Sequence, residues 1–122
     1  MYNLGISCYY HDSAAAILKD GHVVAAVEEE RFSRKKFDDG FPRMAIDWCL
    51  KEAGIGPKNI DSVAFYDKPL LKFERLLDNY IAVAPRGLYS FLNVIPKWLH
   101  KRLWVKDEIS KHLKGFNGAI IF

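Results

Sequence analysis

Asp20-Gly21 sits between two short apolar runs, residues 14–19 and 23–27, and leaves the backbone little choice there. Such a pair between apolar runs is a strong signal for a two-residue hairpin, because both turn residues must accept positive φ. Just upstream, residues 3–9 alternate. Leu4, Ile6 and Cys8 fall on one face, and Asn3, Gly5 and Ser7 on the other. The three runs predict three antiparallel strands. The small side chains of Ala14, Ala15, Ala16, Ala25 and Ala26 imply that another layer packs closely over this sheet.

Further along, the apolar period lengthens. Gly40-Phe41-Pro42 opens a helix with proline in its first turn. Ala45, Ile46, Cys49, Leu50 and Ala53 make one apolar stripe, and Gly54 is a good stop. Met44 and Trp48 lie off the stripe, either partly exposed or forming a second contact face. Residues 56–59 read as a loop and 62–66 as a strand. Residues 70–81 and 88–103 look helical, with Pro85 and Pro96 interrupting, and 107–113 form a short helix. The run Gly118-Ala119-Ile120-Ile121-Phe122 ends 117–122 as a buried strand, which implies a longer parent chain. The order β, β, β, α, β, with later strands joined through helices, predicts an α/β fold. It is the pattern of a truncated ribonuclease-H-like half-domain with a mixed sheet, as in the actin-like ATPase superfamily.

The 122 residues and 14.0 kDa allow one domain. Half the residues are hydrophobic and 14% aromatic, which excludes intrinsic disorder. The net charge of +3 is not that of a protein dedicated to nucleic acid. The charge is uneven: residues 97–114 carry six Lys/Arg against Asp107 and Glu108. Cys8 and Cys49 are too few for a four-ligand zinc site or a disulfide framework. No signal-peptide pattern follows Met1, and no apolar run reaches a membrane span. The expectation is a soluble, reduced, cytoplasmic protein.

Several residues stand out for chemistry. His11-Asp12-Ser13 breaks the pattern directly after the first strand. Exposed N–H groups and a hydroxyl in such a turn can hold an anion, and imidazole titrates near neutral pH. Asp and Ser are also ordinary turn residues. Residues 28–39, EEERFSRKKFDD, hold five acids and four bases, costly to bury unless paired. Arg31, Arg34, Lys35 and Lys36 suit phosphate or carboxylate, with Glu28, Glu29 and Glu30 orienting them, or else form a solvated ion-pair network. His11, His22, His100 and His112 show no i,i+3 or i,i+4 pairing, so no metal dyad on a helix is visible. There is no P-loop, GxGxxG or GxSxG. Cys8 reads as core rather than nucleophile. Residues 96–106, PKWLHKRLWVK, either bury their aromatics with snorkelling lysines or touch an anionic surface.

The run LGISCYYHDSAAAILKDGHVVAAVEEERFSRKKFDDGFP, residues 4–42, closely resembles the start of the O-carbamoyltransferase family of nodulation-factor and antibiotic carbamoyltransferases. GIS-x-x-x-HDSAAA followed by EEERFSRKK is long and specific; the helix up to Gly54 fits too. Beyond Asp67 the similarity weakens. The resemblance implies that residues 1–122 are the N-terminal part of an actin-like ATPase-type domain, with the rest of that domain and a smaller C-terminal domain absent. It further implies that ATP and carbamoyl phosphate give carbamoyl-adenylate, whose carbamoyl group passes to a hydroxyl of a sugar, antibiotic or glycan.

By the resemblance His11 is the catalytic base, and Lys36 contacts the carbamoyl-adenylate. Asp12 and Ser13 shape the loop around the carbonyl and phosphates, with Arg34 a further phosphate-binding cation. Tyr9 lies near the acceptor, although the loop length differs there. Phe37 departs from the family, where histidine follows the lysine pair. A divalent metal ion, iron, belongs to the full-length protein, its HxxxH-type ligands falling outside this chain. The segment alone is expected to be inactive, with no nucleic-acid or membrane partner. Two rivals remain: a sugar-kinase-like ATPase fragment, with Asp12 as a magnesium ligand, and a non-enzymatic module binding an anionic surface near Trp98 and Trp104.

Overall fold

A computed structural model describes residues 1–101 and 104–122, without the side chains of Leu70 and residues 97–101. Three strands open the chain: β1 (Tyr2–Ser7), β2 (Ala14–Lys19) and β3 (His22–Glu28). Asp20 and Gly21 adopt φ of 50° and 83°, the left-handed pair that a two-residue hairpin demands. A single turn, α1 (Glu30–Ser33), leads to α2 (Arg43–Glu52). After the 3-10 turn Pro57–Asn59, where a plain loop is expected from the sequence, comes β4 (Ser62–Phe65). Then follow α3 (Pro69–Ala82), α4 (Leu88–Lys101), α5 (Val105–His112) and β5 (Ala119–Ile121).

The strands form one mixed sheet in the order β3-β2-β1-β4-β5. β1 to β3 are antiparallel, whereas β4 runs parallel to β1 and to β5. One face carries Leu4, Ile6, Ala15, Ile17, Ala25, Val63 and Phe65, all buried. α2 packs across β2 and β3 on this face through Ala45, Ile46, Cys49 and Leu50. α5 adds Val105 and Ile109 to the same core, and Leu113 follows at its end. Arg43 to Glu108 at 2.8 Å and His112 to Asp47 at 2.9 Å link α2 to α5. These partly exposed pairs set register more than stability. Trp48 joins the edge of the core, 6.2 Å from Phe32, while Met44 is exposed.

The alanines divide between two faces. Ala15 and Ala25 lie under α2, and Ala14, Ala16 and Ala26 join Gly5 and Ala64 along an open groove of about 550 Å³ on the other face. Cys8 and Cys49 are buried, as core cysteines should be, and burial pushes the Cys49 thiol up to about 11. Among the described residues no helix is long and apolar enough to cross a membrane.

Two expectations need correction. β1 stops at Ser7, not at residue 9, because Tyr9 takes a φ of 67°, outside the strand region. The final strand is short and poorly covered: Ala119 and Ile121 are exposed, since β5 is an edge strand pairing with β4 alone. α4 runs on through Pro96, and the basic aromatic segment 96–106 falls largely outside the described side chains.

β5 approaches so closely that a Cβ on Gly118 would lie 2.2 Å from the Asp61 carbonyl oxygen. That clash is with backbone, so no side-chain rotation relieves it. Gly118→Ala should release β5 from β4, read as faster amide exchange at Ala119, whose N–H donates to Asp61 O at 3.2 Å.

Candidate functional site

The carboxyl end of β1 lies at the point where the sheet changes direction, with β2 on one side and parallel β4 on the other. Open α/β sheets bind ligands outside the carboxyl ends of their parallel strands, the end that β1 and β4 share here. Residues 8–13 occupy this place, and a second loop, residues 34–42, lies against them. Two carbonyls make the junction. Asp39 O accepts the Tyr9 N–H at 2.8 Å. Asp38 O accepts both the Ser13 N–H at 2.8 Å and the Ser13 hydroxyl at 2.9 Å. Ser13 is only 1% exposed, so its hydroxyl is committed to holding the loops together.

His11 and Lys36 are exposed, one on each of the tied loops. Tyr10 meets the His11 ring edge-on, with centroids 4.6 Å apart. Asp12 is partly buried. Arg34 is exposed and closes α1 in the left-handed conformation, with φ of 58°. The Lys36 ammonium stands 5.0 Å from the centre of the Phe37 ring. Phe37 is itself left-handed, with φ of 57°, and its N–H donates to Glu30 at 3.3 Å. Left-handed backbone at Tyr9, Arg34 and Phe37 concentrates strain in these two loops, an arrangement common at ligand sites. Tyr9 is half-buried against the core. Burial first, then the Cys8 and Glu108 charges, push its phenol up to about 12, against the pull of Arg43. Tyr9 is therefore a neutral hydrogen-bonding group, not a base.

Asp38 is held below the usual carboxylate range by the Ser33 hydroxyl, then by the Gly40 N–H at 3.1 Å, and least by Lys35 at 4.0 Å. A lowered folded pKa stabilises the fold at pH values above the ordinary 3.8, and that contribution disappears as pH falls through the lower folded value. Melting curves of wild type and Asp38→Asn should therefore differ at neutral pH and converge in acid.

The charge cluster 28–39 resolves into separate jobs. Glu28 meets Arg31 at 3.6 Å on the surface, and Glu30 holds the Phe37 N–H. Glu29 is buried at 4% exposure; its carboxylate accepts the N–H of Met44 at 3.1 Å and of Ala45 at 2.7 Å. Sequence reasoning grouped Glu29 with the surface cations. An i,i+15 contact has no local signature. Among the described residues no three His, Cys, Asp or Glu side chains come together as metal ligands.

Residues 2–117 match the family model described as carbamoyltransferase N-terminus. The chain belongs to that family. It is 57% identical over 110 residues to "Uncharacterized protein sll1178" of Synechocystis sp., covering 90% of this chain and 18% of that one. It is 47% identical over 58 residues to "Nodulation protein NolNO" of Sinorhizobium fredii, or 48% of this chain and 8% of that one. With "Uncharacterized protein MJ1051" of Methanocaldococcus jannaschii it shares 25% over 119 residues, 98% of this chain and 23% of that one. This carbamoyltransferase-family chain thus spans less than a quarter of the length of these three relatives. The strongest local agreement expected from the sequence, residues 4–42, contains both tied loops.

Proposed function

We propose that this chain contributes the transfer half of an O-carbamoyltransferase site, moving a carbamoyl group from carbamoyl-adenylate to a substrate hydroxyl. The observation that carries the reading is the double clamp of the His11 and Lys36 loops through the Asp38 and Asp39 carbonyls, in a chain of this family. The mixed sheet with its switch point at β1 is consistent with a ribonuclease-H-like, actin-like ATPase half-domain.

In this reading His11 takes the proton from the acceptor hydroxyl, a poor nucleophile until deprotonated. The hydroxyl oxygen bonds to the carbamoyl carbon. The carbon–oxygen bond to the adenylate phosphate breaks, and AMP departs. Lys36 and Arg34 balance charge on the oxyanion and departing phosphate. Ser13 and Asp12 shape the loop, and the neutral Tyr9 phenol offers a hydrogen bond to the acceptor. ATP and carbamoyl phosphate supply the adenylate elsewhere in the longer protein, where the metal's ligands also belong. A cytoplasmic setting suits two cysteines buried in the core as thiols. The acceptor class is a sugar, antibiotic or glycan hydroxyl, and no membrane or nucleic-acid contact is part of the reaction.

The test is to incubate the complete protein with ATP, carbamoyl phosphate and a panel of hydroxyl acceptors, following products by mass spectrometry. Carbamoyl-adenylate and a carbamoylated acceptor support the reading. Absence of adenylate under every metal condition overturns it and favours a kinase-like ATPase.

A further inference from the structure

Glu29 has no role in the transfer chemistry above, yet both its side chain and its backbone are hydrogen-bonded beside the two loops. Pro42, the residue preceding the first turn of α2, provides no side-chain cap to that helix. Glu29 supplies the cap from a distance: one carboxylate oxygen takes the Met44 N–H at 3.1 Å and the other the Ala45 N–H at 2.7 Å. Charge-assisted bonds at the positive end of a helix are the geometry in which a buried carboxylate is best compensated.

The backbone of the same residue reaches both loops. Its N–H donates to Ser13 O at 2.9 Å, at the end of the His11 loop. Its carbonyl accepts the Phe32 and Ser33 N–H groups, each at 2.9 Å, starting the turn that leads to Lys36. Ser13 in turn holds Asp38 of the Lys36 loop. One side chain thus locks to α2 the residue from which both loops are hung.

We infer that Glu29 is a positioning residue of the transfer site, setting His11 and Lys36 relative to each other without touching substrate. The inference rests on the transfer reading above. When the capping carboxylate is lost, the segment from residue 29 to residue 42 loses its hydrogen-bonded tie to the first turn of α2 and keeps the looser Phe32–Trp48 contact. The base and the cation then drift apart by small distances to which transfer is sensitive.

The complete protein is assayed as wild type, Glu29→Ala and Glu29→Gln, with separate readouts for carbamoyl-adenylate formation, carbamoyl transfer and thermal melting. Glu29→Ala should lower kcat of transfer at least tenfold, with acceptor KM changed less than twofold and adenylate formation intact. Glu29→Gln should fall between, because its amide oxygen can accept one helix N–H but its NH2 cannot accept the other. A lower melting temperature with unchanged transfer kcat makes Glu29 purely structural and overturns the inference. So does an equal fall in both partial reactions. If Glu29→Ala does not fold, transfer kcat of Glu29→Gln decides by the same criteria. A wild type that forms neither adenylate nor product defeats the transfer reading itself and the inference with it; a defect confined to the variants leaves that reading standing.

Discussion

Replacing His11 with Ala is expected to lower carbamoyl transfer in the complete protein by about 10²- to 10⁴-fold, the usual worth of a positioned acid–base group. Carbamoyl-adenylate formation should persist, because the proposed function gives His11 no part in that step. The structure makes the substitution a clean one. His11 is exposed, and its ring meets the edge of Tyr10. The loop is held by backbone groups of Tyr9 and Ser13, which an alanine at position 11 leaves in place. The measurement is product formation against adenylate formation by mass spectrometry, beside a melting curve. Loss of both activities together, with an unchanged melting curve, would place His11 in adenylate formation instead.

Ile46→Ala should cost about 2–5 kcal/mol of stability, the range for deleting a large buried aliphatic side chain. Ile46 is fully buried on the face of α2 that meets the sheet, beside Ala45 and Cys49. Those neighbours are small, so little side-chain volume is free to collapse into the cavity. A loss of this size is a large part of the ~5–15 kcal/mol that stabilises a typical domain. α2 also holds the Glu29 carboxylate, so loosening the helix should reach the two tied loops. Denaturant unfolding of wild type and variant measures the loss directly. A change under about 1 kcal/mol would mean that α2 can repack against β2 and β3.

Most of the fold was legible because it is written in local periodicity. Alternation in residues 3–9, the Asp20-Gly21 turn and the apolar stripe of residues 45–53 each encode one element and its buried face. β2 is bounded as the pattern predicts, and the stripe residues Ala45, Ile46, Cys49 and Leu50 are buried. The candidate site was legible as a list of residues, from His11 to Lys36, but not as an arrangement. The partner of the Ser13 hydroxyl lies 25 residues away, and those of the Glu29 carboxylate lie 15 and 16 away. Hydrogen bonds across such distances depend on how loops meet, and no residue period records that.

The same division separates the two faces of the sheet. Local patterning is enough for the small residues on both sides of β2, the hairpin turn at Asp20 and Gly21, and the one apolar stripe of α2. Docking of distant elements covers the face of Ala15 and Ala25 with α2 and α5, leaves Ala14, Ala16 and Ala26 open, and puts Ile121 on an exposed edge. It also buries Glu29, alone of three consecutive glutamates. The physical reason is that side-chain patterning is set by bonds along the chain, whereas burial and polar pairing are set by strand order and helix docking. Those depend on which distant surfaces are complementary enough to exclude water together.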